Sequence, residues 1–389
     1  MKLLYLDNAA STQVDEKVVK KMLGFFSEKF GNASSQHSIG KEAKFALEDA
    51  RKIIAKSIGA KTSEIYFTSG GTESNNLAVK GLFFYNKENN TGKNHIVTTK
   101  IEHDCILNSC KWLEKTQGAK ITYLNVDAEG FINLEDLKNS ITEKTFLVSI
   151  IHGNNEIGTV QDLEKIGKIC KEKKVLFHID ACQSYTKTKI DLGKLNLDLV
   201  TLNSHKIHGP KGVGALYIRD GISITLIAHG GGHERKIRSG TENVSGIVGF
   251  AEAVKIADEK DVKKMIELRN YIIEKILEIP NTKLNGAQDS DGKKRLCNNI
   301  NISFMNIEGE SIGGYLENEG ICISTGSACM SHSLEPSHVL KAIGLTPIES
   351  NSSVRITISK FTTKQDADYF LEKLKNVVVK LRRISPFVR

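Results

Sequence analysis

The sequence contains no apolar run approaching the roughly 18 residues of a membrane span, so no membrane association is expected. It opens with Met1-Lys2-Leu3-Leu4-Tyr5-Leu6-Asp7, which meets an acid too early for a signal peptide. There is no Cys-x-x-Cys pair, and the seven cysteines, an odd number, form no regular framework. Reduced thiols in a cytoplasmic protein are therefore expected, not disulfides. Neither G-x-G-x-x-G nor G-x-x-x-x-G-K-[ST] occurs, which argues against nucleotide binding. Repeats, low-complexity tracts and an obvious flexible linker are also missing. The net charge of +8 is spread along the chain, as on a lysine-rich surface, and no direct nucleic-acid partner is expected.

The 389 residues, 40% hydrophobic and 26% charged, suit about two domains with a sizeable core. Apolar strand candidates at Glu64–Thr68, His95–Thr99, Ile121–Val126, Phe146–Ile151, Val175–Ile179 and Leu197–Leu202 are mostly separated by helix-period segments. That alternation predicts an α/β domain with a mostly parallel sheet and helices on both faces. The texture changes at Glu259, where a long charged helix leads into short strands near Asn299–Phe304, Ile321–Ser324 and Val354–Ser359. We therefore expect a large domain over 15–258. A smaller α+β domain is expected from 259–389, with the arm 1–14 returning to it. Ser34 or Ser35 is the expected cap of the long helix that ends at Gly59.

Chemistry-bearing residues cluster where strands end. Thr68-Ser69-Gly70-Gly71-Thr72-Glu73 follows a strand and opens a helix, which suits either an anion cradle or a plain capped turn. His103 and Asn155 also follow strands, as a possible proton shuttle and a neutral donor, or as ordinary turn residues. Asp180 ends a strand that should be buried, where a carboxylate needs a partner such as a protonated ring nitrogen or a salt bridge. Lys206 stands just past another strand, after Asn203-Ser204-His205, where a rigid element would hold it, and suits a Schiff-base nucleophile or a solvated surface lysine. A metal site on His205, His208 and Asp180 lacks a third ligand motif. Gly230–Asn243 is a basic, glycine-rich segment that could close a phosphate site through Thr241 or be a mobile surface loop. Ser324–Ser333 is rich in small polar residues and reads as a mobile loop exposing Cys329, as a reactive thiol requires. Arg355, between apolar neighbours, suits a carboxylate grip or a structural ion pair.

Together these motifs closely resemble the cysteine desulfurases of the NifS/IscS type, within the class V aminotransferase-like, pyridoxal phosphate-dependent enzymes. The resemblance rests on Tyr5–Ala10, Gly31-Asn32, Thr68–Glu73, Glu102-His103, Asn154–Gly158, His205-Lys206, Gly209–Gly212, Gly230–Arg235, Arg238–Thr241, Gly326–Cys329 and Ser333–Ser337. It implies the fold of the aspartate aminotransferase-like transferases (fold type I). It also implies that Lys206 carries pyridoxal 5'-phosphate, that Asp180 pairs with its ring nitrogen, and that Asn155 and Gln183 approach its ring oxygen. His103 would stack on the ring and move protons. Gly71, Thr72 and His205, with Asn203 or Ser204, would bind phosphate, joined by Thr241 from the second subunit of a homodimer. Asn32, Asn155 and Arg355 would bind the substrate, L-cysteine. Cys329 would take its sulfur as a persulfide, leaving L-alanine, and pass it to an acceptor such as an iron–sulfur scaffold or a tRNA-thiolation protein.

Three departures stand out. Asn203 occupies a position that is usually Ser, Ala33 replaces a common Pro, and Cys182 stands where Thr is frequent. The chain stops soon after Ser385-Pro386, without the longer tail that some members use to dock a scaffold. A selenocysteine lyase or another class V enzyme is the nearer alternative, and an inactive sulfur carrier the non-enzymatic one. The thiol loop argues against a simple aminotransferase, and the pairing of Lys206 with Cys329 argues against a dead fold.

Overall fold

A computed structural model describes residues 3–325 and 336–386; Cys329 lies outside the described residues. Runs of β-branched and aliphatic residues between turns form the strands. A short arm strand, β1 (Leu4–Tyr5), precedes β2 (Ile65–Thr68), β3 (His95–Thr99), β4 (Lys120–Leu124), β5 (Thr145–Ile151), β6 (Leu176–Asp180), β7 (Leu199–Asn203) and β8 (Gly214–Ile218). β2 to β8 form one sheet in the order β2-β8-β7-β6-β5-β3-β4. β8 is antiparallel to β2 and β7, and the other pairings are parallel. β5 is buried along its whole length, as a strand covered on both faces must be. Its Val148 and Ile150 join the core on one face, while Leu147 joins the core on the other.

The second sheet contains β9 (Thr282–Leu284), β10 (Asn299–Phe304), β12 (Ser324–Thr325) and β13 (Ser353–Thr357), in the order β12-β13-β10-β9. Between them, β11 (Ile321–Cys322) pairs in parallel with β1. Leu4 and Leu6 of the arm are buried with Ile272, Ile302, Phe304 and Phe370, in a core separate from those of the large sheet.

Two local expectations are corrected. The long helix begins at Ser38, and its cap is His37, whose Nδ1 accepts from the Gly40 amide at 3.3 Å. Ser34 cannot serve, because it lies in a turn closed by Asn32, whose Oδ1 accepts from the Ser34 amide at 2.8 Å. The expected strand over 321–324 is two short pieces that pair with different partners, β1 and β13.

The glycine-rich segment after Gly230 is held at its base by an ion pair. Arg51 grips Glu234 with two hydrogen bonds, at 2.7 and 2.8 Å, and both side chains are buried. Glu234 also accepts from the Phe67 amide at 2.8 Å, which ties the segment to β2. Glu234, Arg235 and Lys236 all have left-handed backbones, with φ of 43°, 53° and 66°. Such conformations persist when surrounding contacts over-determine them. Arg235 adds to the anchor, lying 4.3 Å from the centre of the Tyr66 ring and donating to the Ile65 carbonyl at 2.6 Å.

Glu234→Ala should cost about 3–5 kcal/mol in urea unfolding, because it removes the buried carboxylate from Arg51 and leaves only the half-exposed Glu48, 3.2 Å from its Nε; a loss under about 1 kcal/mol would contradict this account. Acid sensitivity has a separate origin in His178. This residue is buried in β6 between Ser149 and Thr201, and burial pushes its pKa from 6.5 down to about 4. The unfolded chain takes up a proton there below pH 6.5, while the folded chain refuses it until about pH 4. The resulting stability is full above pH 6.5 and is lost as the pH falls toward 4. His178→Gln should flatten that fall by on the order of 1.4 kcal/mol per pH unit, as measured by urea unfolding at several pH values.

Candidate active site

Parallel pairing brings three strand ends level. Ile151 of β5 is opposite Asp180 of β6, and Asp180 is opposite Thr201 of β7. The turns that follow these strands carry Asn155, Gln183 and Lys206, so residues far apart in sequence meet along one edge of the sheet. This is the edge at which open α/β sheets bind ligands.

Asp180 is buried. Its Oδ2 accepts from Asn75 Nδ2 at 2.7 Å and its Oδ1 from the Cys182 amide at 2.9 Å. Asn75 lies on the buried face of the Gly71–Glu88 helix, one turn in from its start. The glycines of this stretch point to the phosphate, but Asn75 carries no motif; its only signal is a polar side chain on the buried face of the helix.

Lys206 Nζ donates to the Ala10 carbonyl at 2.7 Å and also to the Ala9 carbonyl. Gln183 Nε2 donates to the same Ala9 carbonyl at 2.9 Å. The arm therefore covers the lysine, and it is pinned in turn to the small sheet. Asn8 Nδ2 donates to the Thr357 carbonyl at 2.7 Å, and the Ala9 amide donates to Thr357 Oγ1 at 2.9 Å.

The Gly71–Glu88 helix starts beside these groups. A β-carbon on Gly71 would stand 2.4 Å from Cys182 Sγ and 3.5 Å from Asn203 Nδ2. The glycine therefore permits a close approach that other residues would block. Of the two candidates before the lysine, Asn203 is the one beside Gly71, whereas Ser204 Oγ lies against Gly209. Thr72 follows in the first helical turn, whose amides lack partners within the helix. His205 Nδ1 lies 3.3 Å from Ser11 Oγ. Burial, and then the charges of Lys206, Lys211 and Lys187, push its pKa down to about 4, so it is neutral at pH 7. Burial and the neighbouring Asp180 raise the Cys182 thiol well above its ordinary value, which makes it a poor nucleophile.

His103 caps the Asp104–Gln117 helix. Its Nδ1 accepts from the Cys105 amide at 3.2 Å. The neutral ring must then carry its proton on Nε2. Glu102 beside it is buried, bonded to Thr99 Oγ1 and the Ile151 amide, and burial pushes its pKa up to about 8.

Arg355 of β13 completes the site from the small sheet. It pairs with Asp7 at 2.8 Å and donates to the Asn155 carbonyl at 3.2 Å, while its buried Nε has no partner among the described residues. Asn32 caps its own turn, and Thr241 is exposed on the segment tied to the helix start by Arg238, whose Nε lies 2.8 Å from Glu73. His205 and His208 face different partners, Ser11 and the Gln13 carbonyl. No group of three His, Cys, Asp or Glu that could hold a metal is found among the described residues.

Cys329 lies outside the described residues, but the residues on either side of Gly326–Glu335 are fixed at the site. Ser324 is opposite Arg355 in the β12–β13 ladder. Beyond the gap, Ser337 donates to Glu156 at 2.5 Å, and His338 Nε2 lies 2.9 Å from the Glu102 carbonyl.

These groups fit pyridoxal phosphate. Asn203 Nδ2, beside Gly71, can donate to a phosphate, while Asn203 Oδ1 and Asn75 Oδ1 are buried acceptors with no protein partner among the described residues. The close approach allowed by Gly71 and the donors around it suit a phosphate, while a buried carboxylate and a lysine stand at the same sheet edge.

Several known proteins are similar to this chain. The Aminotransferase class-V family model matches residues 4–370. A protein named cysteine desulfurase IscS from Dictyoglomus turgidum is 48% identical, covering 99% of this chain and 96% of its own. Another of that name, from Methanosarcina thermophila, is also 48% identical, covering 99% and 94%. Among solved structures, a NifS-like protein aligns with a TM-score of 0.90 at 38% identity, covering 98% of this chain and 100% of its own. A structure described as SspA in complex with cysteine aligns with a TM-score of 0.81 at 38% identity, covering 92% and 100%. The chain belongs to the class-V aminotransferase family, among the cysteine desulfurases.

Proposed function

We propose that this protein is a pyridoxal phosphate-dependent cysteine desulfurase that converts L-cysteine to L-alanine and transfers the sulfur to Cys329. The observation that carries this reading is the meeting of Lys206, the Asp180 carboxylate and the start of the Gly71–Glu88 helix at one sheet edge. Of the described residues flanking Cys329, Ser324 pairs with Arg355, and Ser337 and His338 bond to Glu156 and the Glu102 carbonyl.

Gly71, Thr72, Asn203 and neutral His205 would hold the phosphate of the cofactor. Asp180 would pair with its ring nitrogen, with Asn75 and the Cys182 amide fixing the carboxylate. Bound there, pyridoxal phosphate supplies an electron sink that labilises the substrate Cα–H and C–S bonds. Arg355 and Asn32 take the substrate carboxylate, and Asn155 orients the ring side of the site. Lys206 removes the Cα proton as general base and returns protons as alanine is released, with His103 Nε2 placed to share that work. Cys329 thiolate attacks the substrate sulfur. An S–S bond forms on Cys329 as the C–S bond breaks, and the electron pair from that bond stays with the carbon, which is protonated to give alanine.

A homodimer is part of the proposal. Val19, Leu23 and Phe26 lie on one face of the Glu16–Ser27 helix, and they are 42, 58 and 63% exposed. Such an apolar stripe suits burial against a second copy. That copy would supply Thr241 to the phosphate site. The persulfide sulfur would pass to an acceptor protein, an iron–sulfur scaffold or a tRNA-thiolation protein, in the cytoplasm. No helix among the described residues is long and apolar enough to cross a membrane.

Two variants separate the roles. Lys206→Ala should lose the yellow colour of the bound cofactor and all turnover. Cys329→Ala should keep the colour and its spectral response to L-cysteine, but form alanine and sulfide, assayed with a thiol reductant, at least about 100-fold more slowly. Normal turnover by Cys329→Ala would exclude the role given to it. Asn203→Ala should weaken cofactor retention by about 10–100-fold in equilibrium dialysis, the value of one hydrogen bond to a charged group. Unchanged retention would remove Asn203 from the phosphate site.

A further inference from the structure

Lys187 has no place in the mechanism above, yet it lies directly behind the site. Its Nζ donates to the Gln183 carbonyl at 2.9 Å and to the Lys206 carbonyl at 3.1 Å. Gln183 belongs to the turn after β6, which also carries Asp180, and Lys206 belongs to the turn after β7. One ammonium thus bridges the two turns that hold the ring-nitrogen partner and the lysine.

Three further observations separate Lys187 from an ordinary surface lysine. Among the described residues it makes no ion pair with a carboxylate; its hydrogen bonds go to backbone carbonyls. It is reached through Thr186, a β-branched residue with φ of 63°, a conformation such residues avoid without compensation. It also lines both a cleft of about 1170 Å³ and a small cavity of about 50 Å³ that Lys206 lines too. Lys206, His208, Asp258, Asp261 and Lys360 share the small cavity with it, and its charge also acts on Cys182, Cys297 and His205. Burial lowers its pKa to about 8, which leaves it mostly charged at pH 7, and its charge reaches His205.

We propose that Lys187 is a positioning residue for Lys206, one whose ammonium fixes the separation of the Asp180–Gln183 turn from the Lys206 loop and adds positive charge behind the lysine. This inference rests on the cofactor-bearing role of Lys206 proposed above. A fixed separation keeps the lysine in line with the ring held by Asp180. A neighbouring positive charge disfavours the protonated form of the lysine nitrogen.

The test compares the cofactor-loaded wild type with Lys187→Met, Lys187→Arg and, as an exposed neighbour, Lys189→Met. The readouts are the pH midpoint of the visible absorbance band, which reports protonation at Lys206 Nζ, and the separate kcat and KM for L-cysteine. Lys187→Met should raise the midpoint by about 0.5–1 unit. Its kcat should fall about 10-fold or more while KM changes less than about 3-fold. Lys187→Arg should keep the midpoint within about 0.3 unit of wild type, since the charge remains, and Lys189→Met should match wild type. A wild-type midpoint and kcat in Lys187→Met would overturn the proposal, even if its thermal stability fell. An arginine variant whose midpoint moves by 0.5 unit or more, ~the range set for charge loss, would overturn it as well, and would decide the matter if the methionine variant did not fold. A colourless wild type, or a yellow one that ignores L-cysteine, would instead count against the proposed function itself.

Discussion

Parallel strand pairing is the constraint from which the rest of the site follows. Evenly spaced hydrogen bonds hold β5, β6 and β7 in a register that sets Ile151, Asp180 and Thr201 side by side. Every strand in that group must then release its chain at the same edge, and the next few residues of each become neighbours. Nothing about Gln183, Lys206 or Asn155 taken singly would bring them together. The sheet does so, and the burial of its apolar strands between two cores makes a slip in register costly.

Within that frame the site is assembled from charges that burial would ordinarily penalise. Asp180 is compensated by the Asn75 amide and a backbone N–H, neither of which neutralises it. It remains an acceptor suited to a cationic ring nitrogen. His205 responds in the opposite way, staying neutral because burial and three nearby lysines resist its protonation. A neutral imidazole among ammonium groups leaves the field to a bound phosphate without adding a competing titration. Arg355 has a structural and a functional side at once. One part of its guanidinium is committed to Asp7, while the unpartnered Nε remains available as a donor.

Much of this was legible in the sequence, and the limits are physical. The strands are apolar and short, bounded by turn residues, so β3 and β10 fall on the expected residues and β2, β4, β5, β6, β7 and β13 lie within two residues of expectation, whereas the short, partly exposed β9 is not expected. Lys206, Asp180 and Gly71 could be picked out because side chains of their type, at the end of a strand or the start of a helix, suggest chemistry by themselves. The sequence does not decide between an ion pair and a carboxylate grip for Arg355, because its pairing with Asp7 depends on an arm more than three hundred residues away. Asn75 and Lys187 went unnoticed because their importance lies in what they touch. The partners of Lys187 are backbone carbonyls, which every residue carries and no sequence pattern advertises. The cap at His37 was missed for a similar reason, since serines are the commoner caps and only the fold shows that they are occupied in a turn.

The arm over Lys206 also fixes the order in which the protein can be completed during its synthesis. Asn8 reaches Thr357 across 349 residues of chain, and β1 finds its strand partner only at Ile321. A ribosome delivers the arm before its partners, so these residues must wait for strands made some three hundred residues later. The large sheet can form from residues 65–218 while the arm waits, and the carbonyls of Ala9 and Ala10 cannot be pinned over the lysine until β13 has been made. Closure of the pocket thus reports that translation has passed β13.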